Sequence, residues 1–350
     1  MLAIVALLPA ISFAQVKKAE APQRQGYYVN DGPALYGDVE SMTIKKYYLE
    51  EKFGEVVKGE MYEGYKYRFN KRGNVIERAK YSDGSLESKY LCKYDSAGNI
   101  IEEAVYNSDG SLSFKILYKY ESAGNMIEDA WYFSDGSLVS KDLYKYDSAG
   151  NKIEEADYDS DGSLNGKTIY KYDSAGNKIE EADYDSDGSL DSKWLYKYDS
   201  AGNMIEWATY FANGWLHGKH LYKYDYAGNQ IEEAIYNSDG SLDWKKLYKY
   251  DSAGNMIERA FYKSDGSLFK RDLYKYDSEG NEIEAVTIYP DGSFGSKWRY
   301  KYDSAGNMIE AAEYFAGRLM QKSLWKYDSK GNLIEKWNPV EIIEYEIVYR

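Results

Sequence analysis

The sequence predicts an all-β protein in which tandem 26-residue, two-stranded repeats form one long antiparallel, coiled β-sheet of the spiral or solenoid-like kind. The string YKYDSAGNKIEEADYDSDGSL stands at residues 144–164 and, unchanged, at residues 170–190. A Gly-Asn pair marks each unit from Gly73 to Gly331, every 26 residues except for one step of 25 at each end. Fixed-period repetition is typical of repeat architectures. The 40 tyrosines and 30 glycines favour strands and tight turns.

Each unit contains two turns. In residues 173–177 a type I turn ends on Gly176, whose left-handed conformation would close a three-residue hairpin loop with a bulge. The SDG sequence that ends at Gly188 fits the same description. The two loops leave one strand of about nine residues and one of about eleven, which is too short for a helix to compete. The unit is therefore predicted to be a continuous antiparallel meander.

Alternation along the strands predicts two different faces. In the long strand, one face carries Leu190, Trp194, Tyr196 and Tyr198. The register that we expect adds three side chains of the short strand to this face: Glu180, Ala182 and Tyr184. The same register pairs Tyr184 with Leu190 across the SDG turn. Every repeated tyrosine would then lie on one side of the sheet.

The unequal strand lengths predict that the sheet is tilted. A difference of about two residues makes each unit slip by about 7 Å along the strands while it advances about 10 Å sideways. The resulting tilt is roughly 35°, which is in the range of barrels and coiled sheets. A sheet of about 22 strands does not stay flat and open. We therefore expect it to coil with the tyrosine face inward.

The repeat motif itself resembles a known family. At residues 144–151 it reads Y-K-Y-D-x-x-G-N, followed by an extended segment and D-G, and it recurs from about Tyr67 to Asn332. This string resembles the YD (Rhs-type) repeat of bacterial exported proteins over about three quarters of the chain. The resemblance implies a long sheet that spirals into a hollow shell. Because these units are longer than the usual repeat of that family, the resemblance supports the fold more than a toxin role.

Outside the repeats, the ends of the chain predict export and capping. The apolar run MLAIVALLPAISFA, with Ser12 and Ala14 before Gln15, is typical of a signal peptide. We expect an exported protein in the periplasm, on the cell surface or outside the cell. The predicted segments are a signal peptide at 1–14, a flexible linker at 15–35, N-terminal capping strands at 36–69, the YD-like repeat array at 70–335 and a C-terminal capping strand at 336–350. In the last strand three glutamates are expected to discourage edge-to-edge association: Glu341, Glu344 and Glu346.

Composition and spacing argue against several kinds of chemistry. A net charge of −14 argues against a nucleic-acid partner. The two histidines, His217 and His220, are three residues apart on a strand and predict no metal site. The Glu154-Glu155 pair recurs in several units, which indicates Lys–Glu pairing across strands rather than a glycosidase dyad. The SDG turns are interpreted as turn chemistry rather than calcium loops. We predict no catalytic residue, no metal and no cofactor.

The positions where the repeat varies are the best candidates for function. One variable position, expected to face outward, carries Val105, Trp131, Asp157, Asp183, Thr209, Ile235 and Phe261 in successive units. The candidate ligand contacts are Trp131, Trp207, Trp215, His217, His220 and Phe261. The tyrosine rows are either a packed core or an aromatic platform for glycans. Cys92, the single cysteine, is either a buried structural thiol or a reactive one.

Three functions remain open after these exclusions. The first is an exported, non-enzymatic binding or display scaffold at the cell envelope, with a glycan or a cell-surface protein as partner and no transmembrane span in the mature protein. The alternative is a shell or scaffold component of a polymorphic toxin or secretion system. An enzyme is the third, and no residue pattern in the sequence supports it.

Overall fold

The computed structural model describes residues 26–27 and 35–350, which form 26 β-strands. The strands are β1 (Gly26–Tyr27), β2 (Leu35–Tyr36), β3 (Val39–Lys52), β4 (Glu55–Phe69), β5 (Val75–Ser82), β6 (Ser85–Tyr94), β7 (Ile100–Asn107), β8 (Leu112–Tyr120), β9 (Met126–Phe133), β10 (Leu138–Tyr146), β11 (Lys152–Asp159), β12 (Leu164–Tyr172), β13 (Lys178–Asp185), β14 (Leu190–Tyr198), β15 (Met204–Phe211), β16 (Leu216–Tyr224), β17 (Gln230–Asn237), β18 (Leu242–Tyr250), β19 (Met256–Lys263), β20 (Leu268–Tyr276), β21 (Glu282–Ile288), β22 (Phe294–Tyr302), β23 (Met308–Phe315), β24 (Arg318–Tyr327), β25 (Leu333–Trp337) and β26 (Glu341–Tyr349). Within this described part, no helix is long and apolar enough to cross a membrane. The predicted signal peptide lies outside the described residues.

The sheet is a closed barrel, and the predicted open spiral is wrong. Strands β3 to β26 follow one another as 24 antiparallel neighbours, and β26 pairs back onto β3. Strands β1 and β2 form a separate two-stranded sheet. The all-β class and the two-stranded unit are confirmed, because each unit of the array contributes one shorter and one longer strand.

Both predicted turns are confirmed. In the GN turn, the Gly176 N–H donates to the Asp173 carbonyl (3.1 Å) and Gly176 has a φ of 84°. A residue with a side chain is strained at that angle. In the SDG turn, the Gly188 N–H donates to the Asp185 carbonyl (2.9 Å), and the Asp187 carboxylate accepts from the Ser189 N–H (2.8 Å). These local bonds favour one loop conformation in every unit.

The predicted slip of two residues per unit is also confirmed. Glu181 pairs with Trp194, and Trp194 pairs with Thr209, so Glu181 shares a row with a residue 28 positions later. The residue at the same place in the next repeat is Trp207, which is 26 positions later. The row therefore advances two residues more than the repeat does, and this difference is the slip. With a tilt of about 35°, 24 strands give a barrel roughly 45 Å across between backbones.

The closure is made by the two ends of the chain. Nine residue pairs join β26 to β3, from Glu341 opposite Tyr48 to Tyr349 opposite Val39. The prediction that the three C-terminal glutamates protect a free edge is wrong, because β26 has a partner on each side. Instead they bind the N-terminal strands: Glu346 to Lys45 (2.8 Å), Glu344 to Lys58 (2.6 Å) and Glu341 to the Tyr62 hydroxyl.

A small apolar core supports the pairing of β26 with β3, which we call the seam. Leu35, Val39 and Met42 are fully buried, and Ile44 and Ile343 are nearly so. Other buried or partly buried members of the cluster are Tyr65, Tyr67, Phe69, Val75, Tyr345, Ile347 and Tyr349. Burial of apolar side chains is favourable by about 25 cal/mol per Å² of apolar surface. The apolar core therefore stabilises the junction between the first and the last barrel strands.

The predicted faces are wrong for the short strand. Tyr184 pairs with Leu190, as expected, but Ala182 pairs with Lys193 and Glu180 with Leu195. Partners across strands share a face. These three short-strand residues therefore lie on the face of the sheet that does not carry Trp194 and Tyr196. The cause is a β-bulge at Asp191, where one extra residue shifts the register between the Tyr184 and Asp183 pairs. A shift of one residue exchanges the faces.

Crowding shows which face points into the barrel. On the face of Lys197, ten lysines at equivalent positions that each pair with a glutamate are 60–69% exposed, as with Lys171 and Lys275. Four other paired lysines on this face are 32–41% exposed: Lys45, Lys89, Lys297 and Lys322. On the opposite face, the paired lysines are only 25–35% exposed. Side chains converge on the concave side of a closed wall, so Tyr196 faces inward. We call the two surfaces the outer wall and the inner wall.

The part of the chain that the structure describes forms a hollow barrel. Extensive contacts between strands join only neighbours in the barrel order. Apart from the cluster at the seam, the tyrosines of the inner wall remain partly exposed. Opposite sides of the wall therefore do not pack into a common core, and the inner wall is a concave surface available for contact.

Candidate functional site

The inner wall is built from a repeating set of three side chains. Each set takes one residue from a long strand and its two partners on the neighbouring short strands, as in Glu181–Trp194–Thr209. We call such a set an inner triplet. Eight further triplets follow the same rule: Arg78–Tyr90–Val105, Glu103–Ile116–Trp131, Asp129–Asp142–Asp157, Glu155–Thr168–Asp183, Trp207–His220–Ile235, Glu233–Lys246–Phe261, Arg259–Asp272–Thr287 and Ala285–Trp298–Glu313.

The two walls differ in how strictly they repeat. On the outer wall, the positions of Glu180, Ala182 and Tyr184 keep the same residue type in nearly every unit. Lys171, which pairs with Glu180 (2.8 Å), is also a lysine throughout. The inner triplets, in contrast, change from one unit to the next, and their side chains are apolar, acidic, basic or aromatic. Since identical backbones carry these different side chains, the variation is chemical rather than architectural.

The tyrosines of the inner wall have two roles. The second tyrosine of seven YKY sequences donates to a backbone carbonyl of the preceding strand, as Tyr198 does to Lys178 (2.9 Å). Tyr94 and Tyr327, at the same place in LCKY and LWKY, do the same. Nine such bonds of 2.7–2.9 Å occur between described residues. In five units the first tyrosine donates to an inner carboxylate, as Tyr248 does to Glu233 (2.9 Å). The second row is therefore part of the architecture, whereas the first row belongs to the variable surface.

One side of the inner wall is acidic. Asp142 lies directly between Asp129 and Asp157 on adjacent strands. Burial, together with the carboxylates of Asp129, Asp157 and Glu155, raises the pKa of Asp142 to about 6. Asp129 is buried and accepts from the Tyr144 hydroxyl (2.6 Å). No group of three ligands among the described residues is arranged to hold a metal ion.

The acidic triplet predicts a pH-dependent effect of Asp142→Asn. A raised carboxyl pKa in the folded state favours folding below the unfolded value near 3.8, and this advantage disappears as the pH rises through 6. We therefore expect Asp142→Asn to be more stable than wild type at pH 8, by about 1–3 kcal/mol, and equally stable at pH 4. Urea unfolding at both pH values measures this. Asp187→Asn, in an exposed turn, serves as the control and should bring no gain at pH 8.

Another part of the inner wall, about a third of the way round the barrel from the acidic triplet, is basic and aromatic. We call the residues between β15 and β20 the cation–aromatic arc: Trp207, His220, Lys246, Arg259, Phe261 and Lys270. Its first half contains the ring pair Trp207 and His220, whose centroids are 4.5 Å apart. Their Nε1 and Nδ1 atoms are buried and have no hydrogen-bond partner among the described residues. Burial lowers the pKa of His220 despite the nearby Glu233 carboxylate, which favours the neutral ring.

The second half of the arc holds three cations around one ring. The ring centroid of Phe261 lies 4.6 Å from Lys270 Nζ, 5.1 Å from Arg259 Cζ and 5.7 Å from Lys246 Nζ. Asp272 is buried and accepts from Arg259 (3.0 Å) and Lys270 (3.3 Å). These contacts hold long, flexible side chains in defined places.

The structure brings only some of the predicted contact residues together. Trp207, His220 and Phe261 belong to the cation–aromatic arc. Trp131 lies elsewhere on the inner wall, stacked on Phe114 at 5.5 Å. The prediction that Trp131 and Phe261 face outward is wrong, again because the bulges exchange the faces. Trp215, 75% exposed, and His217 lie at the rim formed by the SDG turns.

Sequence reasoning missed Asp142, Lys246 and Asp272, which occupy the middle of their triplets. A signal was present, since this position carries Ile116, Asp142, Thr168, Trp194, His220, Lys246, Asp272 and Trp298 in successive units. It varies as much as the position that was singled out. Only the register shows that both positions face the same side.

The remaining sequence candidates have structural roles. Glu180 forms an ion pair with Lys171 on the outer wall, whereas its neighbour Glu181 faces inward and binds Lys178 (2.5 Å). The two carboxylates therefore form no dyad. Burial, followed by the carboxylate of Glu103, raises the pKa of the Cys92 thiol to about 11. This supports the structural interpretation of Cys92, because the reactive thiolate is disfavoured.

Comparison with known proteins gives no family assignment. No protein-family model and no curated protein matches the chain. Among solved structures, it is similar to a crystal structure of TcdB2-TccC3-TEV at 12% identity and a TM-score of 0.24, covering 90% of this chain and 25% of that one. It is also similar to the Photorhabdus luminescens Tc holotoxin pore, at 13% identity and a TM-score of 0.21, covering 81% of this chain and 23% of that one. A porin-like protein from Bacteroides uniformis matches at 9% identity and a TM-score of 0.23, covering 89% and 96%.

These matches do not establish a shared family or function. The chain spans about a quarter of the length of the Tc toxin chains that it matches. The resemblance to the YD repeat therefore rests on the repeat motif itself.

Proposed function

We propose that this chain is an exported, non-catalytic binding scaffold that holds a glycan chain against the inner wall of a hollow barrel. The observation that carries the proposal is the difference between the walls. The outer wall repeats one set of residues, while the inner triplets vary on an unchanging frame. Variation confined to a concave surface is the pattern expected where a surface contacts a ligand.

The side chains of the inner wall suit carbohydrate. Trp131 is 38% exposed and stacked on Phe114, so its ring is held flat while part of it remains accessible. Hydroxyl and carboxylate groups stand beside such rings, as Asp129 does by accepting from Trp131 Nε1 (3.2 Å). Sugars present apolar C–H faces and hydroxyl groups, which match an aromatic plane bordered by polar groups.

A shell for a polypeptide is the second candidate, because an enclosed hollow would also suit a guest chain. The two candidates differ in what the inner wall must do. A glycan site depends on particular aromatic rings, whereas a shell depends on the enclosed space. Substitution of single rings therefore separates them.

Trp131→Ala is expected to weaken glycan binding about tenfold, which corresponds to about 1.4 kcal/mol. The measurement is a glycan array with the full chain, followed by titration calorimetry with the saccharide that gives the strongest signal. Trp215→Ala is the matched control, since it removes an exposed tryptophan from the rim rather than from the inner wall. Equal losses in both variants, or no binding of any saccharide by wild type, would contradict the proposal.

A further inference from the structure

We infer that the cation–aromatic arc binds the carboxylate of an acidic sugar unit, so that the barrel selects glycans that carry uronic-acid residues. This inference rests on the proposed function and adds the class of sugar. Three observations carry it: the charge of the arc, the fixed positions of its cations and the unpaired, buried donor of Trp207.

The charge of the arc is positive in a protein whose net charge is −14. Lys246, Arg259 and Lys270 form ion pairs with two inner carboxylates, Glu233 and Asp272. A third carboxylate, Glu282, also acts on Arg259 without an ion pair, and burial raises the pKa of Glu282, which disfavours its charged form. Asp272 also accepts from the Thr287 hydroxyl (2.8 Å), and Glu233 accepts from the Tyr248 hydroxyl (2.9 Å). Both carboxylates are thus already surrounded by donors. Arg259 and Lys270 share the single carboxylate of Asp272 as ion-pair partner, so the arc favours one further carboxylate, supplied by a ligand.

The cations are held in place before any ligand arrives. Lys246 Nζ lies 4.3 Å from the ring centroid of Trp244, and all three cations lie within 6 Å of the ring of Phe261. Cation–π contacts of this kind fix the position of a charged group. A preorganised site loses less side-chain entropy on binding, so these cations suit recognition better than freely moving surface lysines.

The first half of the arc lacks acceptors. Trp207 Nε1 can only donate a hydrogen bond, and it is buried without a partner among the described residues. His220 Nδ1 lies 4.0 Å from Glu233 Oε1, which is beyond hydrogen-bond distance. A buried donor without an acceptor is unfavourable. The hydroxyl or ring oxygens of a sugar would supply the missing acceptors next to Lys246, which is linked to the same Glu233 (3.2 Å).

The acidic part of the inner wall, on β9 to β11, restricts the ligand further. Asp129, Asp142 and Asp157 lie together there and would repel a polymer with a carboxylate on every sugar. The combination favours a glycan in which acidic units alternate with neutral ones. A short acidic oligosaccharide isolates the contribution of the arc.

The test compares a galacturonic acid trimer with its fully methyl-esterified form, which has the same rings and no charge. Calorimetry on the full chain should show at least tenfold tighter binding of the acid form. The preference should weaken as salt is raised, because charge drives it. Lys246→Met should abolish the preference.

The matched control is Lys249→Met, on the same strand. Lys249 also pairs with a glutamate (3.1 Å) but stands on the outer wall, 64% exposed, so this variant should keep the preference. If Lys246→Met does not fold by circular dichroism, Lys270→Met takes its place. Equal affinities of wild type for both trimers, or an unchanged preference in the arc variants, would overturn the inference and leave the proposed function standing. The absence of binding to any saccharide would instead remove the proposed function.

Discussion

Deletion of a single strand with its turn, residues 177–188, is expected to abolish cooperative folding. The barrel closes because an even number of antiparallel strands brings β26 alongside β3 in the opposite direction. With one strand fewer, β26 would run parallel to β3, and the nine residue pairs of the seam could not form. Both edges would then expose unpaired backbone groups, which promote aggregation. Thermal unfolding followed by circular dichroism measures the loss.

Deletion of a complete unit, residues 177–202, is the matched control. It joins Gly176 to Asn203 and preserves the repeat, so strand direction and the local register of the seam are unchanged. We expect a folded barrel of two strands fewer whose diameter is smaller by about one twelfth. A half-unit deletion that unfolds in the same single transition as wild type would contradict closure by β26 and β3.

Much of the local structure could be predicted from the sequence because it depends on neighbouring residues. Gly176 and Gly188 mark the turns, and the difference in strand lengths gives the slip of two residues per unit. The faces of the short strand could not be predicted, since the bulge at Asp191 is not marked by any special residue. It is a consequence of how the slip is accommodated between two turns of fixed geometry.

Closure could not be predicted because it is a property of the whole chain. The tilt of one unit fits a spiral as well as a barrel. What decides between them is whether the first and last strands match. Here Lys45 and Lys58 meet Glu346 and Glu344 across and beside the seam, and Met42 is buried beneath it. None of these residues belongs to the repeat.

The candidate site was only partly predictable for the same reason. Trp207, His220 and Phe261 are visible as departures from the repeat, and they do share one arc. Lys246 and Asp272 look like ordinary charged residues of a strand. Their relation to Phe261 depends on a register that includes a bulge at Ile257 on β19 and another at Phe269 on β20.

The most direct test of the account is a disulfide across the seam. Thr43 and Glu346 are partners on β3 and β26, and partners in an antiparallel pair are about 4.5–5.5 Å apart, within the range of a disulfide. In a Cys92→Ser background, Thr43→Cys with Glu346→Cys should oxidise to an intramolecular bond. Closing a loop of this length should raise the free energy of unfolding by about 4–5 kcal/mol.

The control pairs Thr43→Cys with Glu206→Cys, which lies on the outer wall of β15, far from the seam in the barrel order, and should give no intramolecular bond. Mass spectrometry and non-reducing electrophoresis distinguish the outcomes. A closed barrel predicts nearly complete intramolecular oxidation of the Thr43–Glu346 pair and none in the control. Free thiols or only intermolecular dimers in both variants would show that the sheet is open and contradict the account.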